Sequence, residues 1–482
     1  MKNLQRVFVL LFLYSFPLYG QSSGVIRLTE RRAIELDAVQ TKKNTFLATV
    51  MTTGLETAPI DSETLIFRSS DMGKSWNTVF VLSATSKFEQ NADPVITMDS
   101  IGNIYLVLMR IDRKTSIPNA QLWCYKSTDD GLTWNLAGKP FSDETGFTDY
   151  PQIYAEGNGR LFISYMMRDK TTSSFLINFS KSDDGGGSWT APELLPSVSN
   201  SKWYVGADIS QSADNTLHIA YGEYSGSFIY HTFSNDNGQT WSDLHTIKGL
   251  GSFLINKVVS NKDLNHLGIL SHEPHNVQTP VYFSSSNDNG NTWNTKKVIN
   301  SAAYAEGVLD DKGIYHLIYN QIDSSNFNLG YIFSEDKGQT FSKPIILYSI
   351  PKSNIKYSSG EYQSLILASD GMFHLTFVDY GDTLKAKQII FPPKMGSGVS
   401  SPALSTLPLI YPLPANDVLH IKLDETENLC SYQILDMTGK TIAAGHSSSG
   451  AFTVNIAHIP TGTFILNLNI NNRIVVNKFI KN

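Results

Sequence analysis

Two recurring positions in this sequence carry its reactive side chains. At the first stand Asp93, Asp149 with Tyr150, Lys202 to Tyr204, Asp208, Tyr304 with Glu306, and Glu361 with Tyr362. At the second stand Arg110, Arg168, Glu223 with Tyr224, and the run Ser271-His272-Glu273-Pro274-His275-Asn276. Two carboxylates across a cleft can serve as proton donor and as nucleophile or base in breaking a glycosidic C–O bond. A Tyr or His base beside a cation can instead remove a proton next to a uronate carboxylate and drive elimination. Arginine forks onto carboxylate or sulfate, and aromatic faces stack on sugar rings. The catalytic candidates are therefore Asp93, Glu223, Tyr224, His272, His275 and Glu361. The binding candidates are Arg110, Asp149, Tyr150, Arg168, Trp203, Tyr204, Tyr304 and Tyr362.

Each candidate has a structural reading beside the chemical one. Asp93 precedes Pro94 and equally suits a strand-turn cap. Tyr150, Tyr204, Tyr304 and Tyr362 recur at equivalent places, which suits packing around a common axis. Arg110 and Arg168 end strands, where solvated ends are ordinary, and the His272–His275 run could be a solvated loop. His218, His316 and His374 lie inside alternating apolar runs and read as structural.

The elements that must position these residues repeat roughly every 50 residues, the period of a propeller blade or another repeat array. The stretch Ala92 to Met109 is typical, with an alternating apolar run, an Asp-x-x-Gly-Asn turn and a second alternating run, which make a β-hairpin. A third strand then enters a turn phrase, and a fourth leaves it. The phrase is Ser69-x-Asp71-x-Gly73-x-x-Trp76, and it returns from Ser127, Ser182, Ser234, Ser286 and Ser334, with Phe341 for Trp in the last copy. Its Asp can accept backbone N–H bonds, its Gly supplies φ > 0, and its aromatic packs back under the turn.

The fold expected is all-β, a propeller of four-stranded blades over 24–392. A linker at 393–406 and a small β-sandwich at 407–482 follow. The turn phrases count six blades, but first hairpins begin near Ala33, Asp93, Tyr150, Tyr204, Phe253, Tyr304 and Tyr362, which favours seven. The last hairpin lacks a fourth strand, and Gly24 to Thr29 could supply it and close the ring. The turn phrases then lie on one face and both candidate sets on the other, at the channel mouth.

The balance of charge is −6, and basic residues are not clustered, so nucleic acid is not an expected partner. Lys2 and Arg6, the apolar run Val7 to Leu13 and small residues up to Gly20 read as a signal peptide over 1–20. That run falls short of the roughly 20 residues that span a bilayer, and no transmembrane segment is expected in the mature chain. Cys124 and Cys430 fall in different expected domains, so no disulfide is expected. Without Cys or His pairs at zinc-ligand spacing, neither metal nor cofactor is expected.

The six phrases resemble the Asp-box (BNR) repeat of sialidase-like β-propellers. That repeat is shared with propeller xyloglucanases and sortilin-like receptors, so it implies the fold and leaves the activity open. Tyr411-Pro412-Leu413-Pro414-Ala415-Asn416-Asp417, Asp436-Met437-Thr438-Gly439-Lys440, Ile459 to Leu466 and Lys478 to Lys481 resemble the C-terminal sorting domain of the type IX secretion system, although Leu413 stands where an Asn is usual. The resemblance implies the secretion machinery as partner and a secreted or outer-membrane-surface location.

Sialidases of this fold hold the substrate carboxylate with three arginines from separate blades. Here Val25-Ile26-Arg27-Leu28 lacks their early motif, and no arginine stands between Arg168 and Arg473. Lysine replaces a forked guanidinium poorly, so a conventional sialidase is not expected. The expected function is a carbohydrate-active enzyme degrading complex, acidic glycans by glycoside hydrolysis or by lyase-type elimination. The alternative is a non-catalytic glycan-binding or adhesion propeller on the cell surface.

Overall fold

The computed structural model describes residues 23–481 apart from 54–61, 85–87, 115–117, 144–145, 225, 227, 249–254, 273–278, 353–362, 380–383, 395–408, 412–414, 424–429, 437–439 and 471–472. Strand pairing over 23–391 produces seven four-stranded antiparallel sheets. Their innermost strands are Arg32–Gln40, Glu89–Met98, Thr148–Ala155, Tyr204–Gln211, Ile255–Val259, Ala303–Leu309 and Gln363–Leu367, which head blades 1 to 7 in that order. Each innermost strand neighbours the next, and that of blade 7 returns to that of blade 1. The result is a closed seven-bladed propeller.

Blade 7 takes its outer strand from the start of the chain. Ser23–Arg27 pairs antiparallel with Lys385–Phe391, setting Ile26 opposite Gln388 and Arg27 opposite Lys387. Buried Leu28 extends the pairing through a 2.9 Å bond from its N–H to the Ala386 carbonyl. The clasp covers the edge of Lys385–Phe391 and gives the last blade the same four strands as the others.

Why the blades stack follows from burial. Second strands lie between neighbouring sheets, so Ile104 to Met109 are all buried although the strand alternates. Successive residues pack against opposite neighbours, as in any sheet covered on both faces.

The turn phrases form one repeated cage. In the blade 4 copy, Ser234 Oγ donates to Asp236 Oδ1 at 2.8 Å and accepts the Gly238 N–H at 2.8 Å. Thr240 donates its N–H to Asp236 Oδ1 at 2.9 Å and its hydroxyl to Oδ2 at 2.6 Å. Ser75, Thr133, Ser188, Thr292 and Thr340 do the same in the other copies, so a hydroxyl before the aromatic belongs to the phrase. The indoles of Trp134, Trp189 and Trp293 donate to the carbonyls of their turn glycines at 3.0 Å. Gly238 has φ +72°, and a Cβ there would collide with Phe179 of the preceding blade.

Residues 409–481 form a separate sandwich. A sheet of Leu409–Tyr411, Val418–Lys422 and Ala451–Asn455 faces one of Cys430–Leu435, Thr441–Ser447, Gly462–Ile470 and Arg473–Lys481. Leu419, Ile421, Ile434, Leu466 and Leu468 fill the space between. Cys124 lies buried in blade 2 as a free thiol, pushed up to about 12 by burial.

Candidate functional site

The innermost strands are not regular where they enter the channel. Pairing slips between Ala92 and Val95, Asp149 and Gln152, Val205 and Asp208, and Ala303 and Glu306. At the equivalent residues of these bulges φ is positive, +47° at Asp93, +52° at Tyr150, +59° at Gly206 and +47° at Tyr304. Only glycine takes such angles without strain. A bulge bends its strand and re-aims the side chain it carries, and strain held at equivalent places in several blades marks a site.

Below the bulges lies a cavity of about 70 Å³, lined among others by Tyr150, Asp208, Lys257, His272, Tyr304, Glu306 and Gln363. These residues come from blades 3 to 7. Lys257 holds the centre, with its ammonium 3.9 Å from Asp208 Oδ1 and 3.6 Å from Glu306 Oε2. Burial works against its charge, but Asp208, Glu306 and Asp37 outweigh it and hold the ammonium above the ordinary lysine value. Burial also lifts the carboxyls around it. Glu306 is pushed up to about 7, against the pull of Lys257, and Asp208 and Asp37 are raised in the same way.

The two aspartates also stitch blades together. Asp208 Oδ2 accepts the Val258 N–H at 2.7 Å, and Asp37 Oδ2 accepts the Ile96 N–H at 3.0 Å. Each thereby satisfies a backbone donor of the following blade's innermost strand.

His272 and Tyr304 meet at the wall with ring centroids 6.2 Å apart. His272 is only 4% exposed, and burial drives its imidazole down to about 3, so it is neutral at ordinary pH. Its Nδ1 is buried without a hydrogen-bond partner, and so is Oε1 of Gln363. The amide of Gln363 donates to the Tyr304 carbonyl, which fixes the bulge across the blade boundary. Among the described residues, no three His, Cys, Asp or Glu are placed to hold a metal ion.

The structure distributes the sequence candidates unevenly. Tyr150, His272 and Tyr304 line the cavity, while Asp93 is buried beside it, its N–H on Glu35 at 2.6 Å and its Oδ2 accepting the Tyr150 N–H at 3.3 Å. Asp149 Oδ1 also accepts that N–H, at 3.1 Å. His275, Glu361 and Tyr362 lie outside the described residues.

Three of the candidates are engaged in contacts of their own. Tyr204 is not a binding residue but a core one, fully buried against Tyr221 and Tyr230 with its hydroxyl on the Ser199 carbonyl at 3.2 Å. Glu223 is held by the Lys202 ammonium at 2.9 Å and by the Tyr230 hydroxyl at 2.9 Å. Arg110 is spent within blade 2, paired with Glu89 at 2.7 Å and lying 4.8 Å over the Trp123 ring.

Trp203 and Tyr224 remain open, 44% and 46% exposed, at the blade 4 edge of the same face. Sequence reading placed Asp208 and Glu306 at the mouth but missed Asp37, Lys257 and Gln363. A lysine inside the apolar strand Ile255-Asn256-Lys257-Val258-Val259 was the available signal, since lysine is almost never buried unless paired.

Residues 148–375 match the BNR repeat-like domain, and residues 409–482 match the secretion system C-terminal sorting domain. The chain thus carries a BNR repeat-like propeller and a type IX sorting tail, which directs it through that machinery to the cell surface or beyond. Among the described residues, no helix is long and apolar enough to cross a membrane.

Solved structures similar to the chain include an α-L-arabinanase of Penicillium chrysogenum, 13% identical, with TM-score 0.48 over 77% of this chain and 99% of that one. An α-L-arabinofuranosidase of Fusarium graminearum is 11% identical, with TM-score 0.48 over 77% and 98%. The NanB sialidase of Streptococcus pneumoniae is 14% identical, with TM-score 0.43 over 79% and 71%. Such likenesses carry nothing about the reaction, and the seven-bladed ring rests on its own strand pairing. No curated protein matches the chain in sequence.

Proposed function

We propose that this propeller is a secreted carbohydrate-active enzyme that hydrolyses complex, acidic glycans at the mouth of its central channel. One observation carries the reading. Glu306 and Asp208 both reach toward the Lys257 ammonium, so their carboxylates stand no more than about 7.5 Å apart, the sum of the two distances. That bound admits either separation used by glycosidases, about 5–5.5 Å for direct attack or about 6.5–9.5 Å with an intervening water.

Glu306 is the proton donor, because a carboxyl raised to about 7 stays partly protonated near neutrality and gives its proton up readily. Asp208 is the second carboxylate. Tyr150 and Tyr304 contact the sugar beside the scissile bond.

Elimination is the weaker chemistry here. His272, at about 3, is too weak a base to draw a proton from carbon near neutrality, and the Lys257 charge is already matched by carboxylates.

The test is a panel of plant and algal polysaccharides incubated with the full mature chain. New reducing ends without near-ultraviolet absorbance support hydrolysis, and an absorbing unsaturated product refutes it. Glu306→Gln should abolish product while leaving binding in place.

A second reading rests on the size of the cavity. About 70 Å³ holds a few waters, well below the about 300–1,000 Å³ of ordinary ligand sites. A propeller that binds glycans on its rim without cutting them fits that size, and its mark is binding with no product from any substrate.

A further inference from the structure

We propose that a pocket lined by residues of blades 2 to 4, Arg168 among them, is a subsite that reads the anionic group of a bound sugar. The inference rests on the glycan reading above and adds to it where the charge is recognised. The pocket has a volume of about 210 Å³ and is lined by Pro118, Phe147, Arg168, Ser173, Phe175 and Trp203. Half of its lining is aromatic, with the arginine as its single charged member.

The condition of Arg168 sets it apart. Arg110, near the end of the second strand of the preceding blade, is consumed by Glu89 and Trp123, and Arg68 and Arg160 are each ion-paired with aspartates. Arg168 also sits at a strand end, its backbone N–H on the Phe147 carbonyl at 2.9 Å and its register partner Phe175. Its guanidinium, however, has no hydrogen-bond or ion-pair partner among the described residues. A half-buried guanidinium against apolar walls forgoes some hydration, and a ligand carboxylate or sulfate restores those bonds in forked geometry.

The pocket wall is held in advance. The Trp203 indole meets Phe175 edge-on at 5.5 Å, and Tyr224 lies 5.6 Å away on its other flank. The Tyr224 N–H donates to the Trp203 carbonyl at 2.8 Å, and the Lys202–Glu223 pair anchors the chain on either side. The indole stays nearly half exposed, so little ordering is left for a sugar face to impose when it stacks. The ligand is thus one sugar unit with an apolar face for Trp203 and a carboxylate or sulfate for Arg168.

The test is calorimetric titration of the full mature chain with three oligosaccharides of equal length: an oligogalacturonate, a sulfated galactan fragment and a neutral galactan. The preferred anionic ligand should bind wild type about 10- to 100-fold more tightly than the neutral one, the range of a charge-assisted hydrogen-bond pair. Which anionic ligand is preferred tells carboxylate from sulfate. Arg168→Ala should bring that ligand down to the neutral level, and Arg168→Lys should recover only part of the loss. Trp203→Ala should weaken charged and neutral ligands alike. Equal binding of all three ligands, unchanged by Arg168→Ala, overturns the subsite and leaves the glycan reading standing. Binding of none of them, with no product from the polysaccharide panel, overturns both.

Discussion

The Lys257 ammonium of blade 5 lies 3.6 Å from the Glu306 carboxylate of blade 6, and it holds down the pKa of a carboxyl that burial would raise further. Replacing Lys257 by Met removes that restraint. Glu306 then keeps its proton to higher pH, so the alkaline limb of the pH–rate profile should move up by about one unit. About a third of the lysine side chain is accessible, so the loss of stability should stay near 1–3 kcal/mol. An alkaline limb that does not move would remove Glu306 from the role of proton donor.

Acid should loosen the ring before the turn phrases feel it. His218 and His272 are driven down to about 3 by burial, and His231, His266, His316 and His374 are lowered in the same way. The unfolded chain takes up protons at these residues below about pH 6.5, whereas the folded chain refuses them until far lower. Their stabilising contribution is complete above pH 6.5 and is lost as pH falls toward 3. Asp184, held down to about 2 by the backbone and hydroxyl of Ser188, adds a further loss between about pH 4 and 2. Melting temperatures measured from pH 8 to 4 should fall steadily, and His272→Gln should flatten the slope. A flat profile in the wild type would contradict the burial of these imidazoles.

Deleting residues 21–28 strips the outer strand from blade 7 and exposes the edge of Lys385–Phe391. The deleted chain should melt at least about 5 °C lower and associate through the bared strand, as light scattering would show. A monomeric deletion variant with wild-type melting would mean that the ring does not need its clasp.

Tyr204→Phe separates core from site. The change removes the hydroxyl bond to Ser199 and should cost about 0.5–1.5 kcal/mol in chemical denaturation. Glycan binding should stay within twofold of wild type, and a larger loss would restore Tyr204 to the binding surface.

In the turn cage, Thr240→Val removes the hydroxyl bond to Asp236 and should cost about 1 kcal/mol. Gly238→Ala should cost more, because it adds a positive-φ penalty to a collision with Phe179. The reverse order in urea unfolding would mean that the turn yields more easily than its packing implies.

Much of the fold was legible because its devices are local. The hairpins showed as period-two alternation, and the turn phrase showed as fixed spacings that each close within a few residues. Even the seventh blade followed from counting first hairpins, and the clasp from a missing strand. The site was harder to read. Lys257, Asp208 and Glu306 meet only because successive blades share one axis, and nothing near Lys257 in the sequence names partners 49 residues before it and after it. Tyr204 and Tyr304 read alike in sequence, yet the bulge counterpart of Tyr304 is Gly206, and Tyr204, two residues before it, is wrapped by Tyr221 and Tyr230. Arg110 and Arg168 both lie near the ends of second strands, but strand pairing aligns Ile104 with Leu161 and so Arg110 with Met167, which puts the two arginines on opposite faces of their sheets and only the first beside Glu89.

The clasp of Ser23–Arg27 on Lys385–Phe391 also sets an order of events. Of the propeller's strands, the first to be made has no partner until the last blade has been made, so the ring cannot close before that blade is complete. Closure then comes just before the sorting tail appears, and a chain cut short within any blade carries neither a sealed ring nor the sorting domain. Completeness of the propeller and the address for its last sorting step are written at the same end of the chain.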